Sequence, residues 1–313
     1  MALNLHHLRV FAAVAQERSF SRAAVALRLS QPAVSKTVQE LERQTQLSLF
    51  DRSGRTPRLT DAGTALFARA RELFGVERIA EEELASLRGL ERGVLRVGAS
   101  TTVATYFLPP LLARFHQEHP GVTLRVVSAN TRAIARRLLE GRLDIALVEG
   151  PVSHERISVI PWREDDLVVI APASHPLVHK RRVRAADLID EPFILREPGS
   201  GTRVVAEAAL AEHGVHPGTT VQLGSTEAIK QAVAAGFGPG FLSEHAVQQE
   251  LALGRLALVK VVGFPVMRRW YVVRRSDRTL PRIAEAFESF VVAEGARLIR
   301  GVGGGVPRSR TRA

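Results

Sequence analysis

The sequence predicts a two-part chain, a helical N-terminal segment followed by an α/β body. Three observations carry that reading. Short capped helices fill the first sixty residues, a seven-residue apolar repeat runs from Leu66 to Leu87, and strands alternate with helices from Gly93 onward. With 313 residues the chain is longer than one compact core usually serves, so more than one domain is expected.

Leu5, Leu8, Phe11, Ala12 and Ala15 recur at helical spacing and define the first helix. Ser21 is placed to cap a second helix containing Ala23, Ala24 and Leu27. Ser30 caps a third, with Pro32 in its first turn, where a missing N–H costs nothing. Val34, Val38 and Leu41 form the buried stripe of this third helix. Pro32, Lys36, Gln39 and Arg43 lie opposite, with Gln31 and Ser35 on the flank. Leu49–Asp51 and Arg58–Leu59 are expected to pair as short strands around a turn that carries Arg52 and Arg55. Thr60 then caps a long helix reaching to about Arg88. Leu66, Leu73, Ala80 and Leu87 fall seven apart, with Ala70 and Leu84 near the alternate positions, a seam for a second helix.

Beyond Gly93, Val94–Ala99, Val122–Ser128 and Asp144–Val148 read as strands. Helices at Phe107–His116 and Ile134–Leu139 separate them. A second unit of the same kind contains strands at Leu167–Ala171, Phe193–Leu195, Val221–Leu223 and Gly240–Ser243. Its helices are Thr202–His213 and Thr226–Ala235. A strand at Trp270–Arg274 and a helix at Arg282–Val292 follow. Gly236, Gly238 and Gly240 read as a helix stop and turn, and Asp165-Asp166 as a solvated turn or hinge.

Charge narrows the function. The chain carries a formal +11. Nine Lys/Arg against four Asp/Glu lie within Met1–Thr60, and five Arg with no acid follow Gly295. A polyanion partner is expected, met mainly by the N-terminal segment. Cysteine is absent, which excludes disulfides, cysteine-ligated metals and thiol catalysis. His116 and His119 read as a surface pair, so no metal site is expected. No eighteen-residue apolar run marks a membrane span, and charged residues interrupt any export-signal pattern near Met1. The expected compartment is the cytoplasm.

A strongly capped third helix after a short turn, with a polar N-terminal face, has the form that DNA reading requires. Its first turn can enter the major groove, and basic residues on a following hairpin can reach the neighbouring backbone. Candidate DNA-contacting residues are Ser21, Gln31, Pro32, Ser35, Lys36, Arg52, Arg55 and Arg58. The run from Phe11 to Gly63 closely resembles the winged helix-turn-helix of LysR-type transcriptional regulators. It holds Ser-Gln-Pro-Ala-Val-Ser at Ser30–Ser35, Leu-Glu at Leu41-Glu42, and Leu-Phe-Asp-Arg entering the wing at Leu49. The resemblance implies a winged DNA-binding domain over 1–60 and a dimerising linker helix over 61–90. It implies a two-lobed effector domain, similar to periplasmic binding proteins, over 91–300. Lobe I would comprise about 91–162 and 268–300, lobe II about 163–267, and 301–313 a disordered basic tail. Assembly as a dimer of dimers on double-stranded promoter DNA is also implied.

The run Arg196-Glu197-Pro198-Gly199-Ser200-Gly201-Thr202-Arg203 places glycines, hydroxyls and guanidinium groups at a strand-to-helix transition. Ser100-Thr101-Thr102 follows the first strand, and Asn130-Thr131 is a third such end. Ligands of open α/β sheets bind outside the carboxyl ends of strands, where all three lie. Candidate effector-binding residues are Ser100, Thr101, Thr102, Thr131, Arg196, Ser200, Gly201 and Thr202, with ordinary helix capping as the competing explanation. This region and Ser225–Val233 resemble the CbbR and CysL branch of the family. That implies a regulator of carbon-fixation genes or, alternatively, of sulfur assimilation. No cofactor is expected. The effector would be a small anion, namely a phosphorylated metabolite, NADPH, a carboxylate or a sulfur oxyanion. No Gly-x-Ser-x-Gly elbow, Walker-type loop or His-Glu-x-x-His occurs, so no enzymatic activity is expected.

Overall fold

A computed structural model describes residues 3–51, 56–87, 93–189, 191–215 and 220–300. The chain divides into two units, Met1–Leu84 and Ala85–Ala313.

The first unit contains α1 (Leu5–Glu17), α2 (Phe20–Leu27), α3 (Gln31–Thr45), a hairpin of β1 (Phe50–Asp51) and β2 (Arg58–Leu59), and most of α4 (Asp61–Leu87). Asn4 and Ser30 cap α1 and α3 with side-chain oxygens that accept from backbone N–H groups. The cap of α2 is Ser19, not Ser21. Its Oγ accepts from the Arg22 N–H at 3.3 Å, and Ser21 is an exposed residue inside the helix. The two serines are chemically equal, and packing decides between them. Phe20 must join the helix to bring its ring 5.6 Å from that of Phe50. Arg28, left-handed at φ 56, ends α2 and leaves only Leu29 before Ser30.

Phe11, Val34, Val38 and Leu41 are fully buried at the centre of this unit. Leu66, Phe67 and Ala70 of α4 pack on the same core. The apolar repeat is therefore not one continuous seam. Its first two turns serve their own domain, whereas Leu73, Val76 and Leu84 remain 39%, 61% and 61% exposed. Gly63 lets α4 begin against the hairpin, since a Cβ there would stand 2.0 Å from the Leu49 carbonyl oxygen. Arg52, Arg55 and the tail 301–313 lie outside the described residues.

The second unit has one sheet built from nine strands. In chain order its elements are β3 (Gly93–Ser100), α5 (Thr101–Tyr106), α6 (Leu108–Glu118), β4 (Val122–Ala129), α7 (Thr131–Leu139), β5 (Ile145–Glu149) and β6 (Ile157–Pro172). Then come α8 (Pro176–His179), β7 (Phe193–Arg196), α9 (Gly201–Ala211), β8 (Thr220–Leu223), α10 (Thr226–Ala234) and β9 (Gly240–Ser243). The chain closes with α11 (Gln248–Ala252), β10 (Leu256–Leu258), β11 (Val266–Arg275) and α12 (Arg282–Arg300). The strand order is β4-β3-β5-β11-β6-β9-β7-β8, with β10 also on β6. Strands β4, β3 and β5 are mutually parallel, as are β8, β7 and β9. The antiparallel pair β6–β11 joins the two sets.

Two lobes follow from this topology. Trp270, Phe107, Phe115 and Phe287 fill one face of the first lobe, and Ile134, Leu138 and Val148 the other. Phe193, Leu195 and Phe241 fill one face of the second, and Ile194, Ile229 and Val233 the other. Burial on both faces explains the unbroken apolar run of β5. The helix expected over Phe107–His116 runs from Leu108 to Glu118 with Phe107 at its N-cap, where the Phe107 ring meets Trp270 edge-on at 4.2 Å. Asp165-Asp166 lies within β6 and not in a turn, because the acids pair across the strands with β11. Asp165 stands opposite Arg268 and Glu164 opposite Arg269.

Within the first unit, the Glu42 Oε1 accepts from the backbone N–H groups of Leu49 at 2.8 Å and Phe50 at 3.2 Å, anchoring the hairpin. Glu42→Ala leaves two partly buried donors without this acceptor, each worth about 1–3 kcal/mol. Calorimetry is expected to show the N-terminal transition at lower temperature, with the effector-domain transition unmoved. An unchanged N-terminal transition would remove the anchoring role.

Candidate functional site

Two sets of functional side chains emerge, one in each unit. In the first, Ser30 starts α3 so that Gln31, Pro32 and Lys36 are exposed on its first turns, with Ser35 half-buried beside them. Lys36 makes no ion pair among the described residues. Arg58, on β2, is also exposed, and so is Ser21 on α2. The buried stripe of α3 holds these groups on a rigid element, as base reading requires.

In the second unit the strand ends of both lobes converge on Glu149, the last residue of β5 and 1% exposed. Its Oε1 accepts from the hydroxyl of Thr102 in lobe I at 3.1 Å and from that of Thr202 in lobe II at 3.0 Å. Its Oε2 lies 3.0 Å from Arg268 Nη2. Arg268 also pairs with Asp165 at 2.7 Å and donates from Nη1 to the Thr202 Oγ1 at 2.9 Å. Ser243 completes the network by donating to Asp165 at 2.7 Å. Burial works against the Arg268 charge, but Glu149 and Asp165 outweigh it and hold its pKa above the usual value. Thr131 donates to the Glu149 carbonyl at 2.8 Å. Gly201 packs on the same carbonyl, where a Cβ would come within 1.9 Å of the oxygen. Only glycine fits.

The sequence-predicted effector residues thus divide into two groups. Thr102, Thr131, Gly201 and Thr202 serve Glu149. Ser100 and Ser200 occupy the N-cap positions of α5 and α9, yet neither hydroxyl caps its helix. Both are 1% exposed, and neither hydroxyl has a hydrogen-bond partner. Arg196 is equally buried. It donates to Glu197 at 2.8 and 3.1 Å and to Thr101 across the cleft at 3.2 Å, while its Nη1 is unpartnered. Asn130, by contrast, is an ordinary cap that accepts from Ala133 N–H at 3.0 Å.

Sequence reasoning passed over Glu149, Asp165 and Arg268 as a unit, although charged residues at buried strand positions were the available signal. It also passed over Thr226, 2% exposed with an unpartnered hydroxyl, and a second contact between the lobes. There Tyr106 of lobe I donates to Glu227 of lobe II at 2.5 Å, and Lys230 binds Glu227 at 2.7 Å and Glu250 at 2.8 Å. Burial, then the Glu227 carboxylate, push the Tyr106 hydroxyl up to about 12. His245 stacks on Phe107 at 4.5 Å, and burial followed by Arg163 lowers its pKa.

A DNA-reading helix joined to a two-lobed sheet with a polar cleft defines a ligand-responsive regulator. Residues 5–64 match the model of the bacterial regulatory helix-turn-helix protein, lysR family, and residues 88–296 match the LysR substrate binding domain. The chain belongs to the LysR family of transcriptional regulators. It is 41% identical over 298 residues to the RuBisCO operon transcriptional regulator of Allochromatium vinosum, covering 95% of this chain and 98% of that one. A full-length OxyR variant from Pseudomonas aeruginosa superposes with a TM-score of 0.73 at 26% identity, covering 96% of this chain and 95% of that one. The regulatory domain of CcmR from Synechocystis PCC6803, in complex with 2-PG, is 36% identical with a TM-score of 0.61. It covers 64% of this chain and 97% of that one.

Removing Arg268 would leave two buried carboxylates facing each other. Arg268→Met is expected to destabilise the effector domain by about 3–5 kcal/mol, measured by denaturant unfolding of the full chain. A loss below about 1 kcal/mol would mean that the network contributes little.

Proposed function

We propose that this regulator controls carbon-fixation genes, a RuBisCO operon among them, in response to a small anionic metabolite held between the lobes. The 41% identity to a RuBisCO operon regulator supports the genetic role over the sulfur-assimilation alternative. The observation that carries the ligand reading is that Ser100 Oγ, Ser200 Oγ and Arg196 Nη1 are buried without hydrogen-bond partners. Buried polar groups in folded proteins generally find partners, so these three fit an oxyanion. The 2-PG complex of CcmR supports the same class of ligand.

In this reading residues 1–60 bind promoter DNA, 61–90 dimerise and 91–300 sense the effector, with no catalytic step. The protein acts in the cytoplasm as a dimer of dimers, and the exposed Leu73, Val76 and Leu84 supply apolar surface for helix pairing. The effector favours one lobe arrangement and thereby biases the spacing of the DNA-binding pairs. DNA contacts fall to Gln31, Pro32, Ser35 and Lys36, with Arg52, Arg55 and Arg58 of the wing and Ser21 beside them.

Gln31→Ala is expected to cost about 1–3 kcal/mol on a matched promoter and little on a mismatched one. Equal losses on both duplexes in titrations at one fixed salt concentration would remove its reading role. Ser100→Ala is expected to weaken 2-PG about tenfold to a hundredfold in calorimetric titration, the effect of one hydrogen bond to a charged group. Thr202→Val is expected to lower the unfolding temperature as well, since its hydroxyl serves Glu149 and Arg268. Unchanged 2-PG affinity in Ser100→Ala would place the anion elsewhere.

A further inference from the structure

Lobe II contains a second cavity, of about 440 Å³, that shares no residue with the cleft. Its apolar lining includes Val168, Val259, Val261 and Phe264. Arg181, Arg182 and Lys260 line it as well, all three exposed and none in an ion pair among the described residues. The neighbouring acid does not neutralise them, because Asp187 serves Lys180 at 3.8 Å and Arg184 at 3.9 Å.

The backbone fixes two of these cations side by side. Val183 and Val261 form a parallel bridge, with Val183 N–H donating to the Lys260 carbonyl at 2.9 Å and Val262 N–H to the Val183 carbonyl at 2.8 Å. Both valines point inward and are buried. Arg182 and Lys260, one position earlier on each segment, therefore project together from the other face, on backbones about 4.8 Å apart. Like charges held opposite each other repel, and an anion between them relieves the repulsion. Glu244 also lines the cavity. A recess of this size takes a small molecule.

We propose that this cavity binds a small organic phosphate, its phosphate on Arg182 and Lys260 and its organic body in the recess beside Phe264. It is a second ligand site, independent of the effector in the cleft.

Calorimetric titration of the full chain with ADP, and with adenosine as the uncharged control, tests this. ADP is expected to bind with a Kd below about 1 mM and adenosine at least about tenfold more weakly. The double variant Arg182→Glu/Lys260→Glu is expected to lose at least about tenfold in ADP affinity, and the milder Arg182→Gln/Lys260→Gln a smaller factor. Both pairs are exposed, and an unchanged thermal melt checks their folding. Ser100→Ala is expected to leave ADP binding intact. Absence of ADP binding, equal affinity in the charge-reversed variant, or loss through Ser100→Ala instead would overturn the proposal. So would a double variant that loses duplex DNA affinity while keeping ADP, which would assign these cations to nucleic acid.

Discussion

A single carboxylate organises the effector domain. Glu149 ends a strand of lobe I, and one of its oxygens takes hydroxyl hydrogen bonds from Thr102 of the same lobe and Thr202 of the other. A buried carboxylate is tolerable only with a cation and a filled hydrogen-bond shell. Arg268 supplies the charge from the long strand that passes between the lobes, and Asp165 shares it from the paired strand. The close approach of Gly201 to the Glu149 carbonyl is the packing counterpart of the same contact. Moving one lobe against the other must break or remake these bonds, so relative lobe position is a discrete choice and not a continuous slide.

This arrangement also determines what the cleft can hold. With Thr102 and Thr202 committed to Glu149, the buried hydroxyls at helix starts without a partner are those of Ser100, Ser200 and Thr226, together with Arg196 Nη1. Tyr106, Glu227 and Lys230 make a second bridge between the lobes.

Much of the fold was legible in the sequence because it rests on local signals. Ser30 with Pro32, Thr60, and the alternation after Gly93 located helices and strands from caps and periodicity alone. Ser19 displaced Ser21 as a cap because a tertiary contact, Phe20 on Phe50, chose between two equivalent serines. The long strand Ile157–Pro172 was read only over its apolar second half. Its first half pairs with β11, a strand about a hundred residues away, a relation that no local window contains. The same separation hid the site. Ser100, Arg196 and Ser200 were visible as polar ends of strands, but the role of Thr102 and Thr202 depends on Glu149 and Arg268, which only the folded sheet brings together.

A crystal structure of the full chain with 2-PG tests the central claim most directly. Phosphate or carboxylate oxygens are expected about 3 Å from Ser100 Oγ, Ser200 Oγ and Arg196 Nη1, with the Glu149–Arg268 pair and both threonine hydrogen bonds intact. A ligand that instead displaces Glu149 and takes the Thr102 and Thr202 hydroxyls for itself would contradict it.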